Sequence, residues 1–263
     1  MGSNLKNRKV IITGAGDGIG RALALAFAKE GALVAVCARS QDRLDSLSGE
    51  IEGAGHLFIS ADLGKVDGVK AFHESVMQQL GQVDVLINNV GAILKLVNFF
   101  ELTDQDWEDS FQINLMSAVR LTRLCIPSLK QSTCARIINI SSIAAASPQE
   151  VFPQYSAMKA GLSNFTVSLA QTLAPDKILV NSISPGPVWS KSWENEAREQ
   201  SNGSSLEQTK KEIMQQTGKT IPLNRMGMPE DLTGLALFLA SEQSAWITAT
   251  NFNVDGGLTR NPF

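Results

Sequence analysis

Tyr155 and Lys159, in the stretch Gln154-Tyr155-Ser156-Ala157-Met158-Lys159-Ala160-Gly161, stand four positions apart. Residues i and i+4 share one face of a helix, so a phenol and an ammonium can enter one cleft together. The tyrosine is the only one in 263 residues. A free phenol keeps its proton up to a pH of about 10. A nearby cation stabilises the phenolate and lowers that value. A tyrosine so placed donates a proton to a carbonyl oxygen, or accepts one from an alcohol, near neutral pH. Ser141 and Ser142 follow the apolar run Arg136–Ile140. A hydroxyl there can bond the same oxygen and stabilise developing charge.

A second constellation lies near the amino terminus. Thr13-Gly14-Ala15-Gly16-Asp17-Gly18-Ile19-Gly20 joins a strand-like run to a helix-like one. Glycines permit a tight turn and a close approach to a pyrophosphate, and the helix start offers free N–H groups. Strand, helix and placement agree on a dinucleotide site. The next strand ends Cys37-Ala38-Arg39-Ser40 without an acid for ribose hydroxyls, and Arg39 suits a 2′-phosphate. Asp17 argues the other way, because a carboxylate in the turn repels phosphate. The balance favours NADP(H) over NAD(H). A bound oxidised nicotinamide would add positive charge beside Tyr155.

Elements must position these groups. Short apolar runs recur at 10–12, 33–36, 56–59, 83–87, 136–140, 178–183 and 251–254. Near-continuous apolarity suits strands covered on both faces. Helix-like segments separate them: 20–29, one capped by Ser40 and reaching about Ile51, a long one after the capping box at Thr103–Asp106 with a kink expected near Pro127, and one starting at Pro229-Glu230-Asp231. This alternation predicts a parallel sheet with helices on both faces, in one domain spanning 1–263. The polar segment 190–221, with Ser201–Ser205 as a flexible middle, reads as a substrate lid.

Composition narrows the class. Lys and Arg number 23 against 26 Asp and Glu, so no basic surplus points to nucleic acid. Three cysteines without a Cys-x-x-Cys pair, two separated histidines and no long apolar run predict reduced thiols, no metal site, no membrane span and a cytoplasmic protein.

Thr13-Gly14-x-x-x-Gly18-Ile19-Gly20, Asn88-Asn89-Val90-Gly91, Asn114, Ser142, Tyr155-x-x-x-Lys159, Pro185-Gly186-Pro187-Val188 and Val254-Asp255-Gly256-Gly257 together resemble the short-chain dehydrogenase/reductase family. The subgroup resembled is that of the single-domain 3-oxoacyl-carrier-protein reductases. The resemblance implies a Rossmann-type doubly wound α/β sheet of seven mostly parallel strands and a homo-oligomer, usually a tetramer. It implies Asn114, Ser142, Tyr155 and Lys159 as the catalytic set, with Ser142 chosen over Ser141 by the spacing of thirteen to Tyr155. Lys159 would also hold the nicotinamide ribose, and Asn114 a water linking Lys159 to solvent. Asp62 and Leu63 would contact adenine, Asn89 and Gly91 the nicotinamide-side groove, and Pro185, Gly186, Val188 and Ser190 the carboxamide. Two departures are small: Val90 stands in an Asn-Asn-Ala-Gly pattern, and Ser190 replaces a usual threonine.

The expected reaction interconverts a ketone and a secondary alcohol of a small molecule. Leu94, Phe152, Trp189 and Trp193 are expected cleft walls, with packing of the lid as the competing use. Reduction of a 3-oxoacyl carrier protein is the alternative, for which Lys130 and Arg136 offer basic docking residues. A sensor that binds NADP without turnover ranks below both, because all four catalytic positions are filled.

Overall fold

The computed structural model describes residues 4–201 and 205–260. Seven strands form one sheet: β1 (Lys9–Thr13), β2 (Leu33–Ala38), β3 (Leu57–Ser60), β4 (Val85–Asn88), β5 (Arg136–Ile140), β6 (Leu179–Pro185) and β7 (Asn251–Val254). Their order is β3-β2-β1-β4-β5-β6-β7, and every pairing is parallel. The nine helices of the described residues are α1 (Gly18–Lys29), α2 (Gln41–Ser48), α3 (Val66–Leu80), α4 (Asp104–Phe111), α5 (Ser117–Leu129), α6 (Pro153–Leu173), α7 (Lys191–Gln200), α8 (Leu206–Lys219) and α9 (Thr233–Ala240).

Alternate residues of each strand feed two separate cores. Ile12, Val36, Ile87 and Ile138 pack with Leu23 and Phe27 of α1 and Leu239 of α9. Ile11, Ala35, Leu86 and Ile137 pack with Phe72 of α3, Leu121 of α5 and Leu169 of α6. Burial on both faces explains the unbroken apolar runs of the strands. Cys37, Cys125 and Cys134 are free and buried in this framework. Burial pushes the thiols of Cys37 and Cys125 up to about 12, with a backbone bond from Gly14 pulling Cys37 the other way.

Several boundaries differ from those expected. The helix after Ser40 stops at Ser48, where Gly49 caps it, rather than reaching Ile51. The long helix loses its α-helical register not at Pro127, which α5 passes on its way to Leu129, but in a π-helical turn at Gln112–Met116. Pro229–Leu232 is a 3₁₀ turn leading into α9. There Asp231 accepts from Met228 N at 2.8 Å and pairs with Arg225 at 2.6 Å. The segment after β6 is a helical hairpin, α7 and α8, with its own apolar cluster of Trp189, Ala197 and Met226. Within its expected flexible middle, Ser201–Ser205, residues 202–204 lie outside the described residues. Among the described residues no helix is long and apolar enough to cross a membrane, and no His/Cys/Asp/Glu group has metal-site geometry.

Candidate active site

The carboxyl ends of β1, β4, β5 and β6 converge where the strand order reverses between β1 and β4. A parallel sheet leaves a crevice at that point. The glycine turn is bent there by Gly14 and Gly18, whose φ angles of 68° and 53° favour glycine. Asp17 caps α1 by accepting from Gly18 N at 2.7 Å. Thr13 braces the turn from below: its Oγ1 accepts from Asn89 N at 2.9 Å and Val90 N at 3.0 Å. Asn89 completes the brace, its Nδ2 donating to Thr13 O at 2.9 Å and Gly14 O at 3.2 Å. Its side chain is therefore spent on the shape of the turn. A side-chain carbon at Gly20 would strike Gly14 O and Asn89, so α1 packs directly against the turn. This bare backbone cradle at a helix start fits a pyrophosphate.

Around the cradle, Arg39 is exposed just past β2, and Asp62 follows β3 with its carboxylate accepting from Gly64 N at 3.1 Å. Leu63 is buried in the core. Arg43, which sequence reasoning missed, extends over the turn. A side chain at Gly16 would meet its Cβ at 3.4 Å, and its guanidinium lies 3.9 Å from Asp17. Its position in the first turn of α2, four residues after Arg39, was the available signal. Gly186 N donates to Val254 O at 3.0 Å, and Val188 bridges to Gly227, holding the end of β6. Ser190 approaches Gly18: a side-chain carbon there would meet Ser190 Cβ at 3.8 Å. A groove of about 310 Å³ runs between the α1 start and the hairpin base, past Asp17, Gly18, Trp189 and Ser190. A larger cleft of about 450 Å³, lined by Arg8, Lys9, Asp84 and Thr133, lies at the opposite ends of the strands, away from these groups.

Tyr155, Lys159, Ser142 and Asn114 come together beside the cradle. Ser142 caps the turn Ile143–Ala145 and accepts from Ala144 N at 3.1 Å, and its hydroxyl is the polar group that pulls the Tyr155 phenol down. Ser141 points elsewhere and bonds the Lys159 carbonyl. Lys159 Nζ donates to Ile140 O at 2.8 Å and lies 5.7 Å from the Tyr155 ring centre. Asn114 sits in the π-helical turn, wholly buried. It accepts from Ala92 N at 2.8 Å and donates to Ala92 O at 3.0 Å and Ser110 Oγ at 3.2 Å. A side chain at Gly91 would come within 2.7 Å of Lys159 Nζ and 3.0 Å of Asn114 Oδ1. Only a bare backbone leaves room for those two groups to face one another.

Burial sets the charges. It lowers the Lys159 ammonium to about 8. It also raises the Tyr155 phenol, with the Ser142 hydroxyl opposing. The sequence reading expects a lowered phenol, and the protein's own groups give the opposite direction because desolvation outweighs them.

The expected cleft walls divide. Phe152 packs edge-on against Tyr155, with ring centres 5.9 Å apart, and Leu94 is exposed. Trp189 is buried in the hairpin cluster beneath Lys210, whose Nζ stands 5.2 Å from the ring centre, and Trp193 packs on the same cluster. Both tryptophans thus pack in the hairpin, and Trp189 also lines the groove beside Ser190.

Residues 8–201 match the short chain dehydrogenase family. The chain belongs to that family. It is 32% identical to a 3-oxoacyl-[acyl-carrier-protein] reductase of Thermotoga maritima, over 97% of this chain and 98% of that one. It is 33% identical to the uncharacterized oxidoreductase YvrD of Bacillus subtilis, over 99% and 100%. Among solved structures, L-sorbose reductase of Gluconobacter frateurii, complexed with NADPH and L-sorbose, superposes with a TM-score of 0.92 at 33% identity, covering 99% and 100%. The chain is an NAD(P)-dependent oxidoreductase of this family.

Proposed function

We propose that the protein interconverts a ketone and a secondary alcohol, with Tyr155 as the proton donor and acceptor. The observation that carries this reading is the Lys159 ammonium 5.7 Å from the centre of the Tyr155 ring, next to a dinucleotide cradle and the Ser142 turn. The bound cofactor supplies the hydride. Gly14 to Gly20 hold its pyrophosphate, Asp62 and Leu63 its adenine, and Pro185, Gly186, Val188 and Ser190 its carboxamide side. Ser142 orients the substrate oxygen, and Tyr155 gives it a proton in reduction. The Lys159 ammonium stabilises the phenolate that this leaves and holds the ribose, and the proton is replaced from solvent through the water by which Asn114 links Lys159 to the outside. Positive charge near the phenol is what offsets its burial. NADP(H) is favoured over NAD(H) because Arg39 and Arg43 both stand at the mouth, and Arg43 offsets the Asp17 charge.

The hairpin at 190–221 acts as a lid on this cleft, and the chain works as one domain. A cytoplasmic homo-oligomer, a tetramer by resemblance, belongs to the same reading; a monomeric mass in solution would overturn the assembly.

Tyr155→Phe should lower turnover by a factor of 10³ or more while NADPH binding, followed by fluorescence, stays near wild type (general acid–base catalysis alone is worth about 10²–10⁴-fold). Substantial turnover in that variant would refute the role. The first substrate panel is L-sorbose and related ketoses, apolar cyclic ketones and 3-oxoacyl thioesters. The acyl-carrier reading has support from the Thermotoga relative. Against it, Lys130 is paired with Asp176 at 2.8 Å, and Arg136 is buried and bonded to the carbonyls of Ala135 and Ser241. Neither is free to dock an acidic carrier.

A further inference from the structure

Helices usually meet a sheet through apolar side chains, yet three successive residues of β5 and its end reach α6 through polar bonds. Asn139 Nδ2 donates to Thr166 Oγ1 at 2.8 Å. Ile140 O accepts from Lys159 Nζ at 2.8 Å. Ser141 Oγ donates to Lys159 O at 3.1 Å and lies 2.7 Å from Ser163 Oγ. A serine hydroxyl carries one proton. Ser141 gives its proton to the Lys159 carbonyl, so Ser163 must donate to Ser141. The result is a directed chain, Ser163 to Ser141 to the Lys159 main chain.

We propose that Ser163 is a positioning residue for Lys159. Lys159 is gripped at both ends, its carbonyl by Ser141 and its Nζ by Ile140 O. The hydroxyl chain fixes the height of this helical turn against β5, and with it the distance from Nζ to the Tyr155 ring and to Asn114. Ser163 touches neither cofactor nor substrate; it acts through Ser141 and the backbone. The groups facing Lys159 leave little else to hold it. Tyr155 faces it from the same helix, neutral Asn114 from the π-helical turn, bare Gly91 from the β4 loop and a carbonyl from β5. Among the described residues no carboxylate lies within ion-pair distance of it.

This inference rests on the proton-transfer reading of Tyr155 and Lys159, and the test separates the two. Ser163→Ala, Ser163→Thr and Thr172→Ala are compared with wild type. Thr172 is the control, since its hydroxyl bonds Ser168 O within α6 itself. In Ser163→Ala, kcat should fall by about 3- to 10-fold, since a shift of well under 1 Å costs only part of the ~10²-fold that a 1 Å misplacement carries. The pH profile of kcat/KM should shift by about half a unit. Ser163→Thr should restore the wild-type profile, and Thr172→Ala should leave it unmoved. A Ser163→Ala profile superposable on wild type, whatever the change in Tm, overturns the proposal. The lone tyrosine provides a readout independent of turnover, since its phenolate absorbance reports Tyr155 alone. If Tyr155→Phe stays active, the proton-transfer reading fails; an unmoved phenol titration in Ser163→Ala overturns the positioning role by itself. Should Ser163→Ala not fold, Ser163→Cys, with a weaker donor, should give the same shifts in smaller measure, and no shift there overturns the proposal equally.

Discussion

Lys159 is a buried cation held by a carbonyl rather than a carboxylate, and its cost can be read in stability. Its folded value of about 8 lies below the ordinary lysine value of 10.5. Between those two pH values the unfolded chain keeps a proton that the native lysine has lost, so the contribution of Lys159 to stability rises with pH across that window. Below pH 8 the buried charge weighs on the fold. At about 1.4 kcal/mol per unit, Lys159→Met should stabilise the protein at pH 7 by about 2–3 kcal/mol, less the lost bond to Ile140. Denaturant melts from pH 7 to 9 should show a rise in wild type that Lys159→Met lacks; above pH 9 the thiols of Cys37 and Cys125, held up to about 12 in the fold, pull stability down in both proteins. A wild-type slope retained by Lys159→Met would contradict this. Cofactor choice is argued at the same scale. Charge-assisted bonds of about 1.5–3 kcal/mol predict a 10- to 100-fold loss of NADPH preference in Arg39→Asp, and a smaller loss in Arg43→Ala. Unchanged NADPH affinity in Arg39→Asp would sink the assignment. Tyr155, Lys159 and Ser142 were legible because their spacing is local to one helix and one strand end. Thr13 and Arg43 were not, since their importance lies in contacts with residues brought near only by the fold.

At the scale of elements, α6 carries the phenol and the ammonium at its start and must then turn back into β6. It does so through the 3₁₀ turn Ala174–Asp176 and Lys177, whose φ of 60° and ψ of 24° are left-handed. Lys177 N donates to Ala174 O at 2.9 Å, and the side chain is exposed. A left-handed residue costs about 1–2 kcal/mol without glycine, and glycine returns about half of that as chain entropy, so Lys177→Gly should gain about 0.5–1 kcal/mol. Thermal unfolding checks it, and a lowered Tm would show that the turn is not strained. Strand positions were legible because burial on both faces leaves apolar runs. The π-helical turn at Gln112–Met116 was not, for nothing in its composition separates an i+5 bond from an i+4 one. Pro127 misled for a related reason: it sits near the carboxyl end of α5, where the helix passes it and ends at Leu129.

For the molecule as a whole, the order β3-β2-β1-β4-β5-β6-β7 gathers the ends of distant strands into one crevice. Strand–helix alternation made the parallel sheet legible, and the right-handed crossover rule limits its topologies. The packing of Trp189 and Trp193 in the hairpin was not legible, because a tryptophan beside a cleft and one inside a hairpin look alike in sequence.

The three buried thiols give this architecture a clock. Thiolates are the species that attack disulfide reagents, and protons held so high on Cys37 and Cys125 leave native sulfur almost inert. Labelling therefore times the rate at which each half of the sheet opens. Cys37 lies behind the turn that would clasp a pyrophosphate, with Gly14 N–H on its sulfur, so its exposure requires that turn to let go. NADPH at ten times its Kd should slow Cys37 labelling about tenfold. Peptide mapping of the labelled sites, with Cys125 in α5 as the comparison, would show whether occupancy tightens the cradle alone or the entire sheet; equal rates with and without NADPH at Cys37 would place the clasp elsewhere.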